Sequence, residues 1–376
     1  MNNSIDFFNI NIIKKFKISN KTFLNKMYIN IKNSKKNNIK YTITKKSEVL
    51  LTKKELLDIN DSTSFFPDNI SKFIINKPCD YLIYNFTIND RKFQIHIYCY
   101  KNDFSVNNID FIINWFVLLD KIAIKKCSNN VNVYLFLTDF NKELPNEKNK
   151  MLTPKNVNSA FTYGCKNNNK IVIFRNEEWK KVLLHETFHT FNLDFHINNF
   201  SELKKMLRGL YQINSDFLVF ETYCEFFASI WYCAIEAYEI SKGKKEKFIN
   251  YIETILAYEQ QYFTYQTAKI LNHFNCNYVT LKNNQCSNYS ENTNVFCYYV
   301  LKAICFIHFN EFIKLCDKYF INNNILNINF TKKCEKDFIL FFEKYAFHDK
   351  SLNMMNYMHI IAKKNNDKSL KMMLTS

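Results

Sequence analysis

The chain has 376 residues, 47% of them hydrophobic and 17% aromatic, enough apolar material for a sizeable core and too much for a disordered polymer. Its net charge of +16 comes from lysines spread along the chain, with only short clusters such as Lys35 and Lys36 or Lys244 and Lys245. That pattern describes a solvated basic surface better than a nucleic-acid footprint, so nucleic acid is an unfavoured partner.

The surplus of Asn, Lys, Ile, Phe and Tyr is the bias of a low-GC genome, such as that of a large DNA virus or a protist. Twelve cysteines are scattered without a CxxC pair. The start, Met1 to Asp6, lacks the basic-then-apolar order of a secretory leader. Cys224, Cys233 and Cys305 sit in apolar helical stretches as small hydrophobes. The expectation is an intracellular, reducing compartment, the cytoplasm or a virion, with no disulfides.

In chain order, residues 1–70 are Lys/Asn-rich with weak periodicity and form a variable basic region. Alternating apolar residues over 81–86 and 93–98, with a turn at Asn89 and Asp90, predict a hairpin. A helix is expected over 109–124, a strand over 131–137, and a loop over 141–155. Short strands at 158–163 and 170–174 flank a Gly-Cys-Lys-Asn turn. Asn176 is placed to cap a helix whose first turn holds Glu177 and Glu178.

Helices follow at about 201–209, 215–240, 245–274, 295–320 and 334–346. The helix over 217–240 is long enough to span a membrane, but Glu221, Glu225, Glu236 and Glu239 exclude that. The resulting fold class is α+β, a mixed sheet with helices first, a central helix, then a mostly helical half. The expected divisions are 1–70, 71–192 and 193–376.

The central helix reads His185-Glu186-Thr187-Phe188-His189. Residues four apart lie about 40° from one another around a helix and one turn apart along it, so both imidazoles can reach one tetrahedral ion. Glu186, one position on, stands beside the ion where a general base belongs. A chance HExxH is roughly a one-percent event for this composition. The third ligand has two candidates. His196 lies seven residues past His189, out of register with the spacing HExxHxxGxxH, because Phe195 holds the third-histidine position. Glu221 and Glu225 are two acids, four apart, in an apolar helix, where like charge and burial penalise both unless something satisfies them.

HExxH followed by a helix with Glu-x-x-x-Glu-x-Phe-Ala resembles the gluzincin zinc peptidases, of the zincin superfamily. The resemblance covers about 158–228. It implies a zincin-like fold and one zinc ion on His185, His189 and Glu221, with Glu225 steadying a ligand histidine. In some toxin peptidases of this class the ligand directly precedes Phe-Phe-Ala, which selects Glu225 instead. Asn158-Ser159-Ala160-Phe161 is similar to the edge strand on which thermolysin-like enzymes bind the substrate backbone.

An oxyanion donor is expected from the helical half, with Tyr299 named from a set that includes Tyr298, Tyr223, His273 and His308. The expected function is hydrolysis of a peptide bond in a peptide or protein substrate, by zinc-activated water with Glu186 as base. The alternative is a non-catalytic structural or virion-associated protein that keeps the metal site.

Overall fold

The computed structural model describes residues 8–9, 13, 15–61, 65–100, 104–124 and 126–376. The stretch Met1 to Asp6, read as lacking a leader, lies outside them. In chain order the elements begin with α1 (Lys21–Ser34), β1 (Tyr41–Val49), α2 (Lys53–Asn60), α3 (Asp68–Asn76), β2 (Cys79–Ile88), β3 (Arg91–Cys99), α4 (Val106–Asp120) and β4 (Asn130–Leu137). Next are α5 (Pro154–Val157), β5 (Ala160–Thr162), β6 (Asn168–Ile173), α6 (Trp179–Thr190), α7 (Ser201–Leu210), α8 (Val219–Ile240) and α9 (Lys245–His273). Then come α10 (Tyr278–Lys282), a π-helical turn (Phe296–Leu301), α11 (Lys302–Ile307), α12 (Phe309–Asp317), a 3-10 turn (Ile321–Asn323), α13 (Lys332–Tyr345) and α14 (Asp349–Lys364).

About 52% of the chain is helical, beside one open mixed sheet of six strands, compatible with the α+β class. Two compact units divide it: Ile29–Lys142 with Val157–His196, and Glu143–Asn156 with Ile197–Ser376 and the chain up to Tyr28. No single helix among the described residues is long and apolar enough to cross a membrane.

The first unit holds the sheet, ordered β1-β2-β3-β4-β6-β5. β2 and β3 form the expected hairpin around Asn89, which takes a positive φ of 49°. β3, β4 and β6 run parallel, and β5 turns back antiparallel to β6 at one edge. Ile95, Val133 and Ile171 sit side by side across this register, each fully buried. On the other face Tyr98, Phe136, Val172 and Phe174 pack with Leu56, Ile70 and Ile74 of α2 and α3. Residues 1–70 therefore contribute β1, α2 and the start of α3 to this unit, and Thr52 caps α2 through a reciprocal box with Glu55.

Two expectations for this unit need correction. The central helix begins at Trp179, not at an Asn176 cap, and Glu178 precedes it with φ 60°. Glu177 and Glu178 turn instead to the buried Lys142, one accepting its backbone N–H at 2.9 Å and the other pairing with its ammonium. The cysteines are not all isolated hydrophobes either. Cys127 and Cys165 form a disulfide, as do Cys276 and Cys286 in the second unit. Cys224, Cys233 and Cys305 are buried and outside any disulfide, as expected.

The second unit is helical. Phe226 of α8 packs edge to face or tilted against Phe306, Phe309 and Phe312, and Phe263 of α9 joins them. The single helix expected over 295–320 is broken: it opens as a π-turn and bends by 96° at His308. His308 is buried, its ring bonded to Ser351 Oγ at 2.9 Å, and burial pushes its pKa down to about 3, which keeps it neutral. The chain's last residues are part of this core. Leu370 and Met373 are fully buried, and Glu259 accepts the backbone N–H groups of Leu374 and Thr375.

Candidate metal centre

In the sheet unit, α6 is anchored on three sides. Trp115 Nε1 donates to Thr187 Oγ1 at 2.9 Å, Ser128 Oγ donates to the Thr190 carbonyl at 2.7 Å, and the hydroxyls of Thr162 and Thr190 meet at 2.8 Å. The last contact ties edge strand β5 to the end of the helix. His185 and Glu186 are buried and His189 is half-buried.

The two histidines aim their Nε2 atoms at one another, 3.2 Å apart. A tetrahedral zinc with Zn–N of about 2.0–2.1 Å separates two of its ligands by roughly 3.3 Å, so this spacing fits one edge of such a site. His189 is also held from behind. Its Nδ1 meets Asp194 Oδ2 at 2.5 Å, which leaves Nε2 as the lone pair facing His185. Where the metal-facing nitrogen is fixed in this way, the carboxylate behind it sets both tautomer and ring orientation.

Asp194 reaches that position because of how α6 stops. Asn192 adopts a left-handed φ of 55° and Leu193 N donates back to the Phe188 carbonyl at 2.8 Å, a 6→1 closure that turns the chain under the helix end. The Asp194 side chain is fully buried. Burial works to raise its pKa, but His189 and His196 outweigh this and hold the carboxyl well below the usual range.

His196, the other candidate for third ligand, lies against the same carboxylate. Its Nδ1 meets Asp194 Oδ1 at 2.5 Å. His189, Asp194 and His196 form one cluster whose potential ligand atoms lie within 4.8 Å of one another. The His196 ring lies so close to Gly164 that a Cβ there would fall 2.4 Å from Nε2. The loop carrying Gly164 is fixed by Asn169, which donates to the carbonyls of Tyr163 and Gly164, and by the Cys127–Cys165 disulfide.

The expected substrate edge falls where the sheet ends. Ala160 and Phe161 are the first residues of β5, which among the described residues pairs with β6 alone. Asn158 and Ser159 form the run-in, their carbonyls accepting from Arg175 Nε and Phe174 N, both at 2.9 Å.

In the helical unit, Glu221 and Glu225 are both buried on α8. Asn294 Nδ2 donates to Glu221 Oε1 at 3.4 Å and to the Tyr298 hydroxyl at 3.5 Å. Glu225 Oε2 pairs with the Lys302 ammonium at 3.2 Å, a cation 77 residues away that the α8 sequence gives no hint of. Tyr299 does not fit the donor role expected of it. It is buried and spends its one hydroxyl hydrogen on the Leu370 carbonyl at 2.5 Å.

The π-turn that carries both tyrosines is capped by Glu291, which accepts from Ser215 Oγ, the Tyr289 hydroxyl and Phe296 N. Burial pushes the Glu291 carboxyl up to about 7. The folded chain then keeps a proton that the unfolded chain has lost above about pH 4.3, so stability falls as pH rises from there towards 7. Urea unfolding at pH 5 and pH 8 should show this loss, on the order of 3 kcal/mol, in the wild type and not in Glu291→Gln.

Comparison with protein-family models, with curated proteins and with solved structures finds no match for this chain.

Proposed function

We propose that this chain is a zinc-dependent peptidase of gluzincin type with a zincin-like fold, holding one zinc ion on His185, His189 and Glu221. The observation that carries the reading is the pair of Nε2 atoms 3.2 Å apart, with Asp194 behind one of them and Glu186 between them in sequence. Lys302 supports Glu221 over Glu225 as the third ligand, because it already neutralises Glu225, whereas Asn294 offers Glu221 a neutral amide.

Bound there, zinc would supply a Lewis acid that polarises the scissile carbonyl and acidifies a water. Glu186 takes the proton from that water as the carbon–oxygen bond forms. It then delivers the proton to the amine nitrogen as the carbon–nitrogen bond breaks. Asp194 keeps the His189 ring in register throughout. The free side of β5 takes the substrate as an added strand, with Asn158 and Ser159 leading into it. Tyr298, which meets the same Asn294 amide as Glu221, assumes the donor role that Tyr299 cannot fill. The partner is thus a peptide or an extended segment of a protein. Two disulfides favour an oxidising compartment for it over the reducing one.

The direct test is cleavage of an unfolded protein substrate with and without a zinc chelator. Loss with 1,10-phenanthroline and recovery on adding equimolar zinc supports the reading, and chelator-resistant cleavage or none at all refutes it. Asp194→Asn should weaken zinc binding by about 10–100-fold, measured by competition with a chromogenic chelator. Unchanged affinity would remove Asp194 from the account.

A further inference from the structure

The edge opposite β5 has no part in the reading above. β1 is a nine-residue strand with eight exposed residues. Tyr41 to Lys46 pair residue for residue with Phe86 to Tyr81 of β2, and the register is lost only between Lys46 and Val49, where Glu48 takes φ 56°. The outer side of β1 therefore presents the main-chain N–H and C=O groups of every second residue along a regular run of six, and no other strand engages them among the described residues. An edge of this length is a template for one more strand.

Charge decides what that strand is. Lys40, Lys45 and Lys46 lie on or next to the regular stretch, Glu48 sits in the bulge, and Asp80 lies 3.8 Å from Lys45 in an exposed pair of little strength. An antiparallel second copy centred on Ile43 would set Lys40 opposite Lys46 at both ends, and a parallel copy would stack Lys45 on Lys45. Like charges directly opposite one another destabilise a sheet pair. A groove of about 840 Å³ beside the start of β1 is lined by Lys40, Thr42, Lys92 and Gln94 among others, with no acidic side chain. Tyr41 borders the same groove, and Tyr41 and Ile43 both leave apolar surface exposed.

We infer that β1 is a docking edge for an acidic, extended peptide segment that adds to the sheet antiparallel or parallel to it. Acidic residues opposite Lys45 and Lys46 and apolar residues opposite Tyr41 and Ile43 would complete the pairing. The inference stands apart from the peptidase reading, because it concerns binding alone and holds equally for a protein that cleaves nothing.

The test uses the full chain and a fluorescein-labelled decapeptide with the core Glu-Glu-Thr-Val-Thr-Val, which, paired antiparallel, sets glutamates opposite Lys46 and Lys45 and valines opposite Ile43 and Tyr41, followed by anisotropy. Saturable binding is expected. It should weaken at least tenfold for the Lys45→Glu/Lys46→Glu variant, and at least tenfold for the same peptide N-methylated at alternate residues, which keeps its charge but loses one row of main-chain donors. Equal binding of the N-methylated peptide would reduce the contact to loose electrostatics and overturn the inference. So would tighter binding of a twelve-nucleotide oligothymidylate, no saturable binding, or a dimer in sedimentation that the double variant abolishes.

Discussion

Glu186→Gln is expected to lower the rate of peptide cleavage by about 10²- to 10⁴-fold, the usual worth of a positioned general base, while zinc content stays that of the wild type. The substitution preserves volume and hydrogen-bonding capacity and removes only the ability to take a proton. Its backbone setting is rigid, since the Glu186 carbonyl accepts from Thr190 Oγ1 at 2.8 Å and the side chain is buried on a helix anchored by Trp115, Ser128 and Thr162. A steady-state comparison should therefore show the loss in kcat, with KM nearly unchanged. A variant that loses zinc together with activity would point to a structural role for Glu186. One that keeps full activity would remove it from the chemistry altogether.

Lys302→Met is expected to destabilise the protein by about 3–5 kcal/mol, the cost of leaving a buried charge without its partner. Lys302 is fully buried, 3.2 Å from Glu225 Oε2 and 3.4 Å from the Met372 carbonyl, with its ammonium 4.2 Å from the Phe263 ring centre. Removing the cation takes the Glu225 carboxylate's ion pair away in a helix lined by aromatic side chains. The double variant Glu225→Leu/Lys302→Met should recover most of the loss, because apolar groups of similar size replace a buried ion pair at little cost. Urea unfolding of the four proteins measures the coupling. A single-variant loss below about 1 kcal/mol would mean that Glu225 is satisfied by something other than Lys302, and would return it to contention as a zinc ligand.

The parts of this architecture legible in the sequence are those encoded by local spacing. Alternating apolar residues around Asn89 mark the hairpin, and the His185–Glu186–His189 triplet marks one face of α6. The same logic missed β1, because its apolar alternation stops after Tyr41 and Ile43 and gives way to Lys45-Lys46-Ser47-Glu48, although Thr52 and Glu55 just beyond it carry a helix-start signature that frames α2. Asp194 escaped notice for another reason. Its place depends on Asn192 ending the helix in a left-handed turn, and only the folded-back chain brings an acid five residues past His189 to the ring of that same histidine.

Long-range pairs were beyond reach altogether. Nothing near Glu225 announces Lys302, and nothing near Glu178 announces Lys142. The disulfides join cysteines 38 and 10 residues apart with no flanking motif. The break at His308 has neither proline nor glycine to signal it. It arises where a buried neutral histidine finds Ser351 on another helix.

The central claim is that His185 and His189 bind zinc, and elemental analysis of the purified chain tests it most directly. The account predicts one zinc per chain in the wild type, retained after dialysis, and less than a tenth of that in His185→Ala/His189→Ala at equal folded content. Substoichiometric zinc in the wild type, or zinc that survives loss of both histidines, would contradict it.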